Sequence, residues 1–178
     1  RSKQSDPVYT AYGLLQLNVI QQVWDVDQGI LARNSKWLFG RAGKDTRFYK
    51  SDPASVIPNE LGNAFIMWVL SEMRPEGVSV DRQLGHVVTQ AESSDDPYML
   101  ALAAVSASNF ERRSIANRLV KSLAMKQHKD GFVVARQGTI TRSGGSSMKV
   151  ETTALAAMAW MKDPATMSNA QRALRWIV

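Results

Sequence analysis

Apolar residues recur at helical spacing in eight separate runs, each closed by glycine, proline or a polar turn. The first run, from about Pro7 to Trp24, follows Asp6 as N-cap and has proline at its first helical position. Tyr9, Tyr12, Leu15, Val19 and Val23 share one of its stripes. A second helix is expected from Gln28 to Phe39, with Ile30, Leu31, Asn34, Trp37 and Leu38 inward and Gly40 and Gly43 ending it. After a loop through Arg47-Phe48-Tyr49 and Asp52-Pro53, Pro58-Asn59-Glu60 opens a third, Glu60 to Met73. Its Ala64, Phe65, Ile66, Met67, Trp68 and Val69 are apolar nearly all round, the mark of an interior helix. Arg74-Pro75-Glu76-Gly77 breaks it. A more amphipathic fourth helix runs from about Val80 to Ser93, with Ser79 as its expected cap.

Asp96-Pro97 repeats the Asp6-Pro7 signal and starts a fifth helix, Pro97 to Ser108, again apolar on all sides. The sixth, Arg112 to Gln127, turns Ile115, Leu119, Val120 and Leu123 inward and its basic residues outward. Lys129-Asp130-Gly131 is a turn, and a Ser/Gly/Thr-rich loop leads to Lys149. The seventh helix, Val150 to Met161, is Ala-rich. Asp163-Pro164 separates it from the eighth, Ser168 to Val178, with Ala170, Leu174 and Ile177 inward. The odd-numbered helices are therefore the apolar ones and the even-numbered helices are amphipathic. A helix with no wet side needs cover on both faces, which four stacked αα-hairpins with one helix inside and one outside provide. A plain four-helix bundle does not need this alternation. A faint repeat supports it: Ala32–Leu38 (ARNSKWL) resembles Gln171–Ile177 (QRALRWI), and Lys44–Phe48 (KDTRF) resembles Lys129–Phe132 (KDGF). Phe48 and Phe132 are expected to plug the gaps between successive hairpins. Long loops are expected over 41–58 and 129–148.

Composition narrows the function classes. The 178 residues are 44% hydrophobic, enough for one ordinary domain with a real core. No run reaches the roughly 20 apolar residues of a membrane span. There is no cysteine, which removes disulfides, thiolate catalysis and cysteine-based zinc sites. The net charge of +6 is scattered, with short groups at Arg112-Arg113 and at Lys121, Lys126 and Lys129. No aromatic stacking platform accompanies them, so nucleic acid is not an expected partner. The opening Arg-Ser-Lys-Gln-Ser-Asp resembles neither a signal peptide nor a native start, and a piece of something longer is expected.

Six segments in this order, Thr10–Gln16 (TAYGLLQ), Val23–Asp27 (VWDVD), Asn63–Leu70 (NAFIMWVL), Ser94–Leu100 (SDDPYML), Ile140–Gly145 (ITRSGG) and Val150–Ala156 (VETTALA), resemble the thioester-domain region of the alpha-2-macroglobulin and complement family, above all its bacterial-type members. The resemblance covers essentially the whole chain. It implies an all-α fold, an α/α toroid of the terpenoid-cyclase and prenyltransferase type, of which 1–178 would be a single partial domain of four hairpins. It further implies an endopeptidase-inhibiting or host-defence parent that is secreted, periplasmic or cell-surface, with neighbouring domains, and proteases met by the full protein, as partners. The exposed ends of an incomplete ring would also suit a homodimer. The family's thioester joins a cysteine and a glutamine in a Gly-Cys-Gly-Glu-Gln motif. This chain has no such motif, so no thioester residue maps onto it, and the expectation is a non-catalytic segment with no catalytic, cofactor or metal residue.

Two other readings are open. Asp6, Glu60, Asp96 and Glu151 fall at inner-helix starts, where paired carboxylates about 5 to 10 Å apart would suit a toroid hydrolase or lyase; helix capping explains the same residues. The concave side could instead hold a peptide, as in a helical-repeat adaptor. Asp25-Val26-Asp27-Gln28 resembles a cyclase acid motif without its last aspartate, and Asp27 is better read as the cap of the second helix. His86 reads as a partly exposed surface residue, and His128 as the end of the sixth helix. Gly138–Gly145 lacks the lysine and strand-to-helix context of a P-loop and reads as a connector or a contact loop. Trp24, Trp37, Trp68, Trp160 and Trp176 read mainly as core anchors, with Trp176 the one expected to be exposed.

Overall fold

The computed structural model describes residues 5–43, 46–51, 56–74, 77 and 79–178. Helix accounts for 67% of these, and none lies in a strand. The helices are α1 (Pro7–Ile20), α2 (Gln28–Gly40), α3 (Asn59–Met73), α4 (Asp81–Ser94), α5 (Pro97–Asn109), α6 (Arg113–Ala124), α7 (Gly145–Trp160) and α8 (Met167–Ile177), with a single 3-10 turn, Pro164–Thr166, before the last. The expected Lys44-Asp45 and Asp52-Pro53 turns and the Pro75-Glu76 break lie outside the described residues.

Packing follows the alternation. α1, α3, α5 and α7 pack one against the next, and α2, α4, α6 and α8 each pack on the inner helix that precedes them. α5 shows why. Every one of its residues except Ser108 is buried, because α3, α7, α4 and α6 surround it. Its alanines let these neighbours approach closely. Removing a side chain such as Leu102 from this core would cost about 2–5 kcal/mol.

The connections differ in kind. α4 and α5 are joined by Asp95 and Asp96 alone, with Asp95 left-handed at φ 51° as the C-cap. The segments before α3 and α7 are long, and each is gripped by a polar side chain of the inner helix that follows. Asn63 Oδ1 accepts from Phe48 N (2.7 Å) and Tyr49 N (3.1 Å), while its Nδ2 donates to Tyr49 O (2.8 Å) and Asn59 O (2.7 Å). Thr153 Oγ1 accepts from Val133 N (2.9 Å) and donates to Val133 O (3.2 Å). The aromatic residues beside these grips fill the gaps as expected. Phe48 is buried against Phe39 of α2, 6.2 Å between ring centres. Phe132 stacks on His128 at 4.3 Å and lies 5.2 Å from Trp176 of α8.

Several expectations are corrected. α1 buries Val8, Ala11 and Leu14, not the Tyr9–Tyr12–Val19–Val23 stripe, which faces solvent. With no charged residue between Pro7 and Trp24, the apolar pattern does not fix which face turns inward. In α2, Ile30 is exposed, and Leu31, Ser35 and Leu38 form the buried line. In α8, Leu174 is exposed, and Ala170 and Ala173 are buried. α7 begins at Gly145, a full turn before Val150, so the preceding loop spans 125–144. α6 ends at Ala124, leaving His128 in a turn beyond it. Ser79 does not cap α4, whose N-cap is Val80. Trp160 is fully buried, and Trp24 rather than Trp176 is the strongly exposed tryptophan.

Gly62 tests the grip on the first long segment. A Cβ there would stand 2.4 Å from the Tyr49 ring, whereas one at Gly85 of α4 would meet nothing within 4 Å. In urea unfolding, Gly85→Ala should stabilise by about 0.5–1 kcal/mol, the usual helix gain. Gly62→Ala should destabilise by about 1–3 kcal/mol despite the same gain, because a packed aromatic must move.

Candidate functional site

The N-terminal ends of the inner helices are where acid–base chemistry was conceivable. Asp6 Oδ1 caps α1, accepting from Val8 N at 2.8 Å and Tyr9 N at 3.1 Å. Glu60 is exposed in the first turn of α3, and Asp27 caps α2 through Gly29 N at 2.7 Å. Asp96 does more. It is 1% exposed, and Oδ1 accepts from Tyr98 N (2.8 Å) and Met99 N (3.3 Å) while Oδ2 accepts from Arg136 N (2.5 Å) and Gln137 N (2.8 Å). One carboxylate thus caps α5 and anchors the loop before α7.

Glu151 is not at a helix start, since α7 opens at Gly145, and it makes no capping bond. Its Oε1 accepts from the Tyr98 hydroxyl at 2.8 Å, and its Oε2 accepts from Thr141 Oγ1. Thr139, Thr141 and Ser143 continue this as a line of hydroxyls. The Gly138–Gly145 segment is therefore a pinned loop. Burial, reinforced by the nearby Glu151 carboxylate, pushes the Tyr98 phenol far above its ordinary value. It stays protonated as the donor to Glu151. Beside this junction, Asp95 pairs with Lys126 and with Arg136. The Lys126 hydrogen bond, with help from Arg136, holds its carboxyl below the usual range. Apart from the exposed Glu60, these acidic groups are engaged by backbone N–H, hydroxyl and cationic partners. Among the described residues no group of three or more His, Cys, Asp or Glu converges as metal ligands. His86 is half-buried on α4. His128 Nδ1 lies 3.2 Å from Asp130 N and 3.3 Å from Asp130 Oδ2.

The best-formed concavities lie elsewhere. A groove of about 920 Å³ follows α2 from Gln28 to Gly40 and is flanked by the ends of α1 and α3. A second cleft, about 620 Å³, lies between the end of α5, the start of α6 and the end of α7, with Arg74, Arg113 and Lys162 facing Glu111 and Asp163. The sequence reading singled out neither. The signal available for the first was Glu72 and Arg74 closing an otherwise apolar helix.

The third surface feature is apolar. Tyr9, Tyr12, Val19 and Ile20 are exposed on α1, with Val23 and Trp24 just beyond. At the other end of the stack Val150, Met158 and Met161 are exposed along α7, and Met167, Leu174 and Val178 along α8. α3, α4 and α5 expose no large hydrophobic residue. No helix among the described residues is long and apolar enough to cross a membrane. No family model matches the chain, and no curated protein matches it.

Two measurements check the junction. Asp96→Ala should cost at least about 3 kcal/mol, because it removes a helix cap and leaves charge-assisted loop bonds unmade. It should also speed amide exchange at Arg136 and Gln137. For Tyr98 the folded value is raised above the unfolded value of 10.0, so its contribution is full below pH 10 and is lost as pH rises further. Stability measured against pH should therefore fall in the alkaline limb, and Tyr98→Phe should flatten that fall.

Proposed function

We propose that this chain is a non-catalytic structural segment of a macroglobulin-like protein, an arc of an α/α toroid that docks neighbouring domains through its two ends. The observation that carries the docking reading is the concentration of exposed large apolar side chains at the two ends of the stack, where all those of the described residues but Val56 and Met125 lie. The middle helices α3, α4 and α5 expose none of their large hydrophobic residues, while α1 at one end and α7 and α8 at the other expose rows of them. Contiguous exposed apolar rows on a well-packed domain mark surfaces that meet a partner. Each end row lies on or beside an inner helix, the type that elsewhere in this structure is covered by the next inner helix. A ring that continues in both directions, or neighbouring domains that replace it, supplies that cover. The macroglobulin assignment rests on the six sequence segments, and with it come the protease-trapping or host-defence role and a secreted, periplasmic or cell-surface location.

The docking reading is tested on the isolated chain by sedimentation and hydrophobic-dye binding. The chain should bind dye and self-associate with rising concentration. Val19→Glu with Met158→Glu should abolish both while leaving the unfolding midpoint nearly unchanged, since surface substitutions usually fall within about 0.5 kcal/mol. A monomer that binds no dye overturns it. The family role is tested separately, on the longer parent: retention of a proteolytically active endopeptidase supports trapping, and a parent with no effect on any endopeptidase class overturns it.

A further inference from the structure

The groove along α2 has the shape and chemistry of a peptide site, and it is separate from the apolar end faces. From Gln28 to Gly40 at 1.5 Å per residue it runs about 18 Å, the length of about five extended residues. Its volume of about 920 Å³ lies within the usual range for ligand sites, about 300–1,000 Å³. Leu31, Phe39 and Met73 give it an apolar floor. Asn18, Gln21 and Gln28 add carboxamides in series, Gln28 donating to Gln21 and Gln21 to Asn18. Carboxamides both donate and accept, as a peptide backbone does.

Four polar groups in the groove lack, among the described residues, the full set of partners that a purely structural role would give them. Ser35 is only 4% exposed, yet among the described residues its hydroxyl has no hydrogen-bond partner, not even the carbonyl one turn back. No side-chain polar atom sealed from solvent lacks a partner among the described residues, so this hydroxyl opens into the groove. Glu72 is fixed through one oxygen, with Oε1 accepting from Trp68 Nε1 (3.0 Å) and Asn109 Nδ2 (2.8 Å), while Oε2 has no partner among the described residues. Lys36 and Arg74 line the same groove, and neither forms an ion pair with Glu72 or with any other described carboxylate. The groove therefore holds two cations with no ion pair among the described residues, a pre-positioned acceptor and a half-enclosed hydroxyl over an apolar floor.

We propose that this groove binds an extended peptide of about five residues in which acidic and apolar side chains alternate. In an extended chain, successive side chains point to opposite sides, so the apolar set rests on Leu31, Phe39 and Met73 while the acidic set reaches Lys36 and Arg74. A backbone N–H donates to Glu72 Oε2, and the Ser35 hydroxyl donates to a backbone carbonyl.

The test is a titration of the isotope-labelled full chain with acetyl-Asp-Leu-Asp-Leu-Asp-amide, followed by amide chemical shifts. Saturable shifts confined to residues 18–21, 28–40 and 72–74 are expected. Ser35→Ala should weaken binding about fivefold, the worth of one neutral hydrogen bond, and Lys36→Met about tenfold or more. Both substitutions suit a helix, and unchanged shifts elsewhere verify the fold. The proposal is overturned if no saturable shift occurs at millimolar peptide, if the shifts fall outside the groove, or if neither variant changes the affinity. It is equally overturned if acetyl-Lys-Leu-Lys-Leu-Lys-amide binds as well, or if inorganic phosphate alone reproduces the shifts, which would mark a general anion site.

Discussion

α5 has no side turned to water, and most of the architecture follows from that. A thirteen-residue helix running from Pro97 to Asn109 with every residue but Ser108 buried exists only if neighbours cover its whole circumference. Two inner neighbours, α3 and α7, cover it from either side, and two amphipathic helices, α4 and α6, cover it from outside. The same demand applied to α3 brings in α1, α2 and α4. Two layers are then the minimum, and the amphipathic layer is the one that meets solvent.

Covering apolar helices brings backbone with it, and backbone must keep its hydrogen bonds when it is buried. The described parts of the long segments before α3 and α7 form no helix or strand of their own, and they bury Phe48, Tyr49 and Val133. Their N–H and C=O groups are met by polar side chains set into otherwise apolar helices: Asn63 for Phe48 and Tyr49, Thr153 for Val133, and Asp96 for Arg136 and Gln137. Asn63 and Thr153 are worth more than their own bonds, because losing either would leave two or more buried backbone groups unpaired at about 1–3 kcal/mol each. Asp96 links the two halves of this scheme, since one carboxylate both starts α5 and fixes the loop that leads to α7.

The sequence carried the helix count and the inner–outer alternation because both rest on long, strongly periodic segments. The caps at Asp6, Asp27 and Asp96 were also legible, being local contacts between neighbours in the chain. Phase was not legible in α1, whose apolar and uncharged residues occupy both faces. The start of α7 was hidden because Gly144 offers no capping side chain, so Gly144-Gly145-Ser146-Ser147 reads as linker. The second half of the Asp96 site left no mark at all, for its partners are backbone N–H groups some 40 residues away, and any residue but proline supplies those. Asn63 and Thr153 did carry a signal, as polar residues inside apolar runs.

The two ends of the inner helices have been put to different uses. At the N-terminal end of α5 Asp96 is committed to four backbone N–H groups, and Glu151, further along α7, is committed to Tyr98 and Thr141. The two Asp96 oxygens, already accepting four hydrogen bonds, have no free lone pair in position to take a substrate proton. At the C-terminal ends of α3 and α5 the side chains are only partly committed. Glu72 keeps one oxygen free while Asn109 and Trp68 hold the other, and Arg74 contributes to both concavities. Rigid fixing of one atom beside an open second atom is the arrangement that recognition requires, because the orientation is set before a ligand arrives. The polar groups are thus spent on the fold at the start of α5 and left partly open at the end of α3, which is the side on which the proposed peptide would find them.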